Sequence, residues 1–506
     1  MDLTYDAPAV SRDDPHSTES TVSYYILNSA KAGPKPPEDK RAPATWSTFA
    51  LVYGQQLVLR PVEAALSICS ERAWLRLTTA IDDRVQRKIA VSLPSGKLLG
   101  VLDLRYAHAI EMFQLELIGK DVLTAFRNGL VLELCDEGYP LWFFSAGDED
   151  ELGLPIEYHP HLMTAPDTVN PENEFHNRFA SLASLQSFGW MEGCILDGLR
   201  GLARFGPDRT RYEAARKLHW QTYTGRFGEL TYESPRSAVV TNEVYGIEGG
   251  LPFADLVLSN PQHPWLEHFS SAMQRFQRKD GAIQDDDVLS AEGCYTVAFP
   301  LAALAVAQGS IGLAVAALTQ LRIRQRRLWH DDALWLRYMD NDERTFRNWA
   351  RAVAWYLLGM MRTLELLRDG DHETSDLERE ALRVAKWALS HQLENGLWSV
   401  YVDDHNLGVD TSGSAGIATA LALGARIGVL TSLEASAAKR TLASLNQYLT
   451  PDGFLGGTSQ ANRGGEVLQR SDYRVLSQMA MGLKAQLIGE VFGLDQNDAE
   501  PKPTRN

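Results

Sequence analysis

The chain has 506 residues, 44% of them hydrophobic, and a formal net charge of −16. Its length suits two domains better than one, and its composition excludes wholesale disorder. The acidic balance excludes a nucleic-acid binder, which needs a basic patch, but not an anionic small substrate, because local arginines outweigh screened distant charge.

The N-terminal stretch MDLTYDAPAVSRDDPHSTES lacks a basic segment followed by an apolar core, so no signal peptide is read there. No run of eighteen apolar residues occurs, so no membrane span is read either. The expectation is a cytoplasmic protein. Cys69, Cys135, Cys194 and Cys294 are scattered without a CxxC pair. They read as buried free thiols in a reducing compartment, not as a disulfide framework or zinc site.

Residues 1–44, with GPKPPEDKRAP, read as a flexible N-terminal segment. From 45 to 165, runs such as QLVLRPV, KIAVSLPSG, LLGVLDLRY and LVLELCDEG alternate apolar and polar residues between turn formers. They predict an antiparallel β-sandwich domain. YHPHLMTAPDTVNPENE reads as a linker. From 172 to 492 the texture is helical, in segments such as YEAARKLHWQTYT, NWARAVAWYLLGMM and SAGIATALALGARIGVL. Residues 493–506 read as a disordered tail.

Within the helical part a turn followed by large apolar residues recurs at Gly225, Gly281, Ala333, Gly396 and Gly453. A period of about 50 to 60 residues fits two helices and two connections. Six such hairpins predict an (α/α)6 barrel, with an open helical solenoid as the alternative. Inner helices crowd the axis and need small residues, as in GCYTVAFPLAALAVA and SGSAGIATALALGA.

In each repeat a polar or aromatic cluster opens an apolar helix at one phase. These are Glu243 with Glu248, Glu292, Trp349 with Arg351, Ser412 with Ser414, and Ser471 with Asp472. In a closed ring that phase is one rim of the central cavity. Each residue alone has a plainer reading. A glutamate in a first helical turn suits the helix dipole, Trp349 and Trp355 fit a core, Arg351 fits a structural ion pair, and Ser412 and Ser414 fit caps. Their shared phase argues for one pocket. Two carboxyl groups with tryptophans suit glycoside cleavage, which needs a proton donor and a second carboxylate. The apolar neighbours of Glu292, namely Cys294, Val297, Phe299 and Pro300, favour its protonated form. An arginine nearby suits an anionic sugar.

NWARAVAWYLLGMM resembles the tryptophan–x–arginine–three–tryptophan signature of the unsaturated uronyl hydrolases, glycoside hydrolase families 88 and 105. ENGLWSVYVDD followed by DTSGSAGIATALALGARIGVL resembles the same families' last third. The resemblance covers about residues 172–490. It implies a six-hairpin barrel that removes a terminal uronic acid. It also implies an acid at Glu292, a second carboxylate at Glu243 or Glu248, and substrate contacts at Trp349, Arg351 and Trp355. Two departures stand out. Both family aspartates are glutamates here. A family histidine before the tryptophan–arginine element has no counterpart, since DDALWLRYMD offers Leu336 and Arg337. Glutamates behind a sandwich domain look more like family 154, which removes saturated glucuronic acid.

The expectation is therefore an exo-β-glucuronidase with Glu292 as proton donor and Glu243 or Glu248 as partner. Arg351 and Arg337 would hold the uronate, and Trp349, Trp355, Trp335 and Trp398 would stack on sugar, with Ser412 and Ser414 nearby. No metal or organic cofactor is called for. The alternative is an unsaturated uronyl hydrolase that hydrates the ring double bond. Weaker rivals are a lyase or epimerase using Tyr245, Tyr295 or His330, and a non-catalytic sugar-binding protein. The sandwich would shape the cleft or build a homodimer. The Gly-rich start of LGGTSQANRGGEVLQR would lie over the pocket mouth.

Overall fold

The computed structural model describes residues 22–29, 33–62, 70–145 and 153–499. Cys69, and the predicted N-terminal segment up to residue 21, lie outside the described residues.

Among the described residues, ten strands build the first domain. They are β1 (Ser23–Asn28), β2 (Thr48–Leu51), β3 (Gln56–Pro61), β4 (Arg72–Thr78), β5 (Gln86–Ser92), β6 (Leu98–Arg105), β7 (Met112–Ile118), β8 (Leu130–Leu134), β9 (Leu141–Phe144) and β10 (His161–Thr164). Eight form one antiparallel sheet in the order β6-β5-β8-β3-β1-β10-β4-β7, and β2 pairs with β9. The sheet curls until its end strands β6 and β7 lie side by side. Helix α1 (Lys120–Asn128) sets Val122, Ala125 and Phe126 into the resulting core with Leu59, Leu75, Ile89, Leu102 and Leu130.

Three expectations are corrected here. The β-domain is one nearly closed sheet rather than two stacked ones. Alternation shows that one face is buried, but a second sheet and the sheet's own accumulated twist bury it equally well. Ser23–Asn28, assigned to the flexible segment, is a strand between β10 and β3; Leu27 is buried and the ring of Tyr25 packs edge-on against Phe126. His161–Thr164, inside the expected linker, is a sheet strand paired on both sides.

The second domain holds α2 (Pro171–Phe179), α3 (Trp190–Phe205), α4 (Arg209–Thr222), α5 (Pro252–Ser259), α6 (Leu266–Arg275), α7 (Phe299–Gln308), α8 (Ile311–Leu328), α9 (Ala350–Leu367), α10 (Ser375–Ser390), α11 (Thr411–Arg426), α12 (Ser432–Leu445), α13 (Gly465–Arg470) and α14 (Gln478–Ala499). Helices α3, α5, α7, α9, α11 and α14 pack each on the next, and α14 returns onto α3. That closes a ring and excludes the solenoid. Among the described residues, α14 has no second helix after it. Its neighbour from the start of the domain is the short α2. Residues 493–499, assigned to the disordered tail, are the end of α14, and 500–506 lie outside the described residues.

Three of the five recurring turns share a cause, while Gly225 is not left-handed and Ala333 opens the strand Ala333–Met339. Gly281, Gly396 and Gly453 sit at φ 86°, 83° and 88°, a region side chains resist. A buried ion pair locks the domains together. Arg76 of β4 donates through Nη2 to Asp452 at 3.0 Å, and Tyr24 adds a bond at 2.9 Å. Burial would raise the Asp452 carboxyl, but Arg76 and these bonds hold it at about 2. No described helix is long and apolar enough to cross a membrane. Cys194 and Cys294 are buried free thiols, whereas Cys135 is exposed, contrary to the uniform burial expected.

Candidate active site

Glu292 stands between a short strand, Val288–Ser290, and a wide π-helical turn, Cys294–Ala298. The strand pairs with Ala333–Met339, and the Glu292 carbonyl accepts from the amides of Tyr295 and Thr296 at 2.9 and 2.8 Å. Such turns cost helix regularity and recur at functional sites. Two close approaches hold this one. A side chain at Gly293 would collide with the guanidinium of Arg324, which donates to the carbonyls of Ser290 and Ile283. A side chain at Gly359 would strike the backbone of Cys294, so α9 lies flat against the turn.

Glu248 sits in the turn Ile247–Gly250 ahead of α5, fixed by the bond from the Ile247 amide to Asp285 at 2.9 Å. Trp349 caps α9. Asn348 before it has φ 55° and turns the chain there, its Oδ1 accepting from the Leu334 amide at 2.9 Å and its Nδ2 donating to Asp403 at 2.8 Å.

Glu248, Glu292, Trp349, Arg351 and Trp355 line one pocket together with His108, Trp190, Pro235, Ala461, Asn462 and Arg463. Its free space is about 40 Å³, far below that of ordinary small-molecule sites. Ala461, Asn462 and Arg463 belong to a strap that follows the short strand Thr458–Ser459. The floor is aromatic: Trp355 meets Trp190 edge-on at 5.8 Å and stacks on Tyr295 at 6.0 Å. A larger open groove of about 690 Å³ runs between the domains beside Trp74, Tyr448 and Tyr473, but neither glutamate reaches it.

The electrostatics separate the two glutamates. Burial raises both carboxyls. Glu248 is pushed further, to about 8, first by burial and then by the neighbouring charges of Glu292 and Asp285. Arg337 and Arg351 oppose the rise at Glu292. Arg337 lies over the Phe346 ring at 5.6 Å. Several buried polar atoms have no hydrogen-bond partner among the described residues: His108 Nε2, Trp349 Nε1, Arg351 Nε, Arg463 Nη1 and Tyr245 Oη. Leaving such an atom unmet costs roughly 1–3 kcal/mol, and all of these but Tyr245 Oη belong to residues that line the pocket.

The remaining expected site residues fall elsewhere. Glu243 is exposed and ion-paired to Arg275, because the chain turns inward only from Val244 on. Trp335 turns its indole toward the His330 carbonyl, at 3.4 Å, and does not line the pocket. Trp398 is core, donating to the Ala388 carbonyl at 2.7 Å. Ser412 bonds Asp410 at 2.8 Å and the Ser414 hydroxyl accepts from the Trp398 amide at 2.9 Å, so both serve the start of α11. Arg351 reaches the pocket, but its Nη2 donates to Ser459 and Gln460 and so holds the strap's root. Of the weaker candidates, Tyr295 bonds Asp197 below the floor and His330 is exposed beside Asp331. Tyr245 alone stands next to Glu248.

Sequence reasoning missed Trp190, His108, Asn462 and Arg463. Trp190 opens α3 at the phase already used for the other repeats and was findable. His108 comes from the other domain, where no period points to it. Among the described residues no group of three His, Cys, Asp or Glu side chains is placed to hold a metal ion.

Residues 313–487 match Glycosyl Hydrolase Family 88. The match includes Trp349, Arg351, Trp355 and Arg463 but begins after Glu292. The 24.9 kDa protein in picA locus of Rhizobium radiobacter and a protein of Agrobacterium fabrum are each 36% identical over 104 residues, 19% of this chain. The chain spans 44% of the length of these curated relatives. Among solved structures, a possible member of GH105 family from Salmonella enterica has a TM-score of 0.53 at 17% identity, covering 64% of this chain and 92% of that one. A family 105 glycoside hydrolase of C. acetobutylicum scores 0.53 at 17%, covering 63% and 99%. An unsaturated glucuronyl hydrolase specific for heparin scores 0.51 at 15%, covering 65% and 99%. At these identities the likeness is one of fold.

Proposed function

We propose that the chain is a glycoside hydrolase acting on oligosaccharides that end in an unsaturated uronic acid. One observation carries the chemistry: Glu248 and Glu292, from successive repeats, share an aromatic-floored pocket in which burial keeps a carboxyl protonated near neutral pH. The family 88 match and the barrel shared with an unsaturated glucuronyl hydrolase weigh for the unsaturated substrate over the saturated glucuronide expected from the sequence.

Glu248 carries the proton and Glu292 is the carboxylate, the reverse of the expected roles. Both feel Asp285 and Arg337, but Glu248 is raised further by the charge of Glu292, whereas Arg337 is the first opposing influence at Glu292, where Arg351 adds to it. Glu248 protonates C4 of the ring double bond. The π pair forms the new C–H bond, and the positive charge left at C5 is shared with the ring oxygen. Water attacks C5 and gives its proton to Glu292. The resulting hemiketal opens, leaving a hemiacetal at C1 that releases the neighbouring sugar. A proton donor and a base in this arrangement contribute about 10²–10⁴-fold each.

The test follows a lyase-generated unsaturated disaccharide by loss of its ultraviolet absorbance, beside release of 4-nitrophenol from its β-glucuronide. Turnover of the disaccharide with little release of nitrophenol is expected. Nitrophenol release without loss of absorbance would return the assignment to the saturated exo-β-glucuronidase.

A further inference from the structure

The β-domain reaches into the barrel mouth through the segment 106–111. Two non-glycine residues there, Tyr106 and Ile110, have φ 55° and 63°, strain that persists only where surroundings impose it. The surroundings are specific. Thr79 Oγ1 donates to the His108 carbonyl at 2.6 Å, the His108 amide donates to Glu111 at 3.0 Å, and Gln478 of α14 donates to the Ile110 carbonyl at 3.2 Å. Gln460 of the barrel strap donates to Glu111 at 2.7 Å. All this fastening delivers one imidazole to the pocket wall. His108 is 6% exposed, and its Nε2 has no partner among the described residues.

Arg463 lines the same pocket from the strap. Its Nη2 donates to the Pro235 carbonyl at 2.8 Å, but its buried Nη1 makes no hydrogen bond among the described residues, and the carboxylate of Asp82 lies 4.0 Å away. Burial, then the positive charges of Arg463, Arg84 and Arg351, holds the His108 imidazole neutral. This part of the pocket therefore holds a cation and two under-bonded nitrogens, with Asp82 and Glu111 behind them, while Glu248 and Glu292 supply the acidic part.

We propose that His108 and Arg463 form a carboxylate subsite, contributed jointly by the β-domain and the strap, that takes the anionic group of the terminal uronic acid. The inference rests on the uronyl reading of the substrate. It replaces Arg351, whose Nη2 is committed to the strap's root, as the principal anchor for that group. It also gives the β-domain a role in substrate choice, since the barrel without that domain lacks one wall of the site. Arg463 offers a donor that an uncharged sugar leaves unmet, so the subsite selects acids over neutral sugars by the penalty on the neutral ones as well as by attraction.

The experiment compares the unsaturated disaccharide with its carboxyl methyl ester, as substrates of wild type, His108→Gln and Arg463→Met. Wild type is expected to prefer the acid in kcat/KM by at least a hundredfold. Each variant is expected to shrink that preference at least tenfold. Losses that are equal on acid and ester, or an unchanged preference, overturn the subsite and leave these residues a structural role. Melting temperatures report folding, and Arg463→Met on the strap decides the question if His108→Gln does not fold. Calorimetric binding of free glucuronate against glucose separates the two readings. If wild type turns over no uronide, the hydrolase reading fails. The subsite then stands if glucuronate binds at least tenfold tighter than glucose and Arg463→Met abolishes the difference, and it falls otherwise.

Discussion

Toward the C-terminal halves of the inner helices, Arg362 donates to Asp197 at 3.0 Å and to Glu490 at 2.6 Å. Arg426 donates to Glu490 and Glu365, each at 2.6 Å, and Tyr295 donates to Asp197 at 2.6 Å. Burial would raise Asp197 and Glu365. The arginines prevail, lowering Asp197 and holding Glu365 at about 2. At the opposite rim of the ring, ahead of α5 and α7, Glu248 and Glu292 are half-buried near arginines too, yet both carboxyls rise. Residue types do not distinguish the two regions; completion of the hydrogen bonds does. The closed network braces the ring, and the open one retains unspent donors and a mobile proton. Tyr295 joins them, its hydroxyl in the network and its ring beneath Trp355.

The sharpest way to break this contrast is to mutate both ends and read both activity and stability. Glu248→Gln and Glu292→Gln should each lower kcat by about a thousandfold, within the usual range for losing an acid or base, while urea unfolding midpoints stay at or above wild type. Arg362→Leu should do the reverse. It strands Asp197 and Glu490 without their shared cation, a change that costs about 3–5 kcal/mol for a buried pair, read by urea unfolding. The molecules still folded should keep most of their turnover. Loss of activity on a stable background from Arg362→Leu, or unfolding from Glu248→Gln, would erase the distinction.

A pH series sharpens it further. Between the ordinary glutamate value of 4.5 and about 8, native Glu248 holds a proton that the unfolded chain has released. Native protein then binds more protons than unfolded, so the contribution of this group to stability falls as pH rises across that window. Glu248→Gln should remove that slope, gaining on wild type at about pH 9 and matching it at about pH 4. The alkaline limb of kcat should fall near pH 8, where the donor loses its proton. The closed network predicts the opposite sign: Glu365, held low, contributes stability that is lost only as pH falls from about 4.5 toward 2.

A smaller effect is expected where the regions meet. Tyr295→Phe keeps the ring under Trp355 but removes one bond to a charged acceptor, costing about 1.5–3 kcal/mol by the usual scale. Arg362 and Arg200 still hold Asp197. KM should change little.

The ring was legible because its signals are periodic. The turn glycines at Gly281, Gly396 and Gly453 recur with the same backbone need, and the inner helices repeat small residues. The same phase led to Glu248, Glu292, Trp349 and Arg351, and the tryptophan–arginine signature added Trp355. It also selected Glu243, Ser412 and Ser414, which lie outside the pocket, because a helix start on the rim serves its own cap or the solvent as readily as a ligand. It could not reach His108 or Arg463. One belongs to another domain, placed by a strained turn, and the other to a strap, placed by the arginine at its root. Closure of the β-sheet was illegible for a related reason, since alternation reports a buried face and not what covers it.

The smallest expected effect tests the finest choice. Glu243 and Glu248 are five residues apart and indistinguishable by type, and the sequence left both open as the second carboxylate. Glu243 has 57% of its side chain exposed and pairs with Arg275, itself 48% exposed. Exposed pairs contribute about 0–1 kcal/mol. Glu243→Gln should therefore shift the unfolding free energy by under about 1 kcal/mol and leave kcat, KM and the alkaline limb where wild type has them. A thousandfold loss from Glu243→Gln would move the catalytic pair to the surface and show that burial does not select the acid. An unchanged Glu243→Gln beside a dead Glu248→Gln would establish that the five-residue inward turn of the chain makes one glutamate a reagent and the other a surface charge.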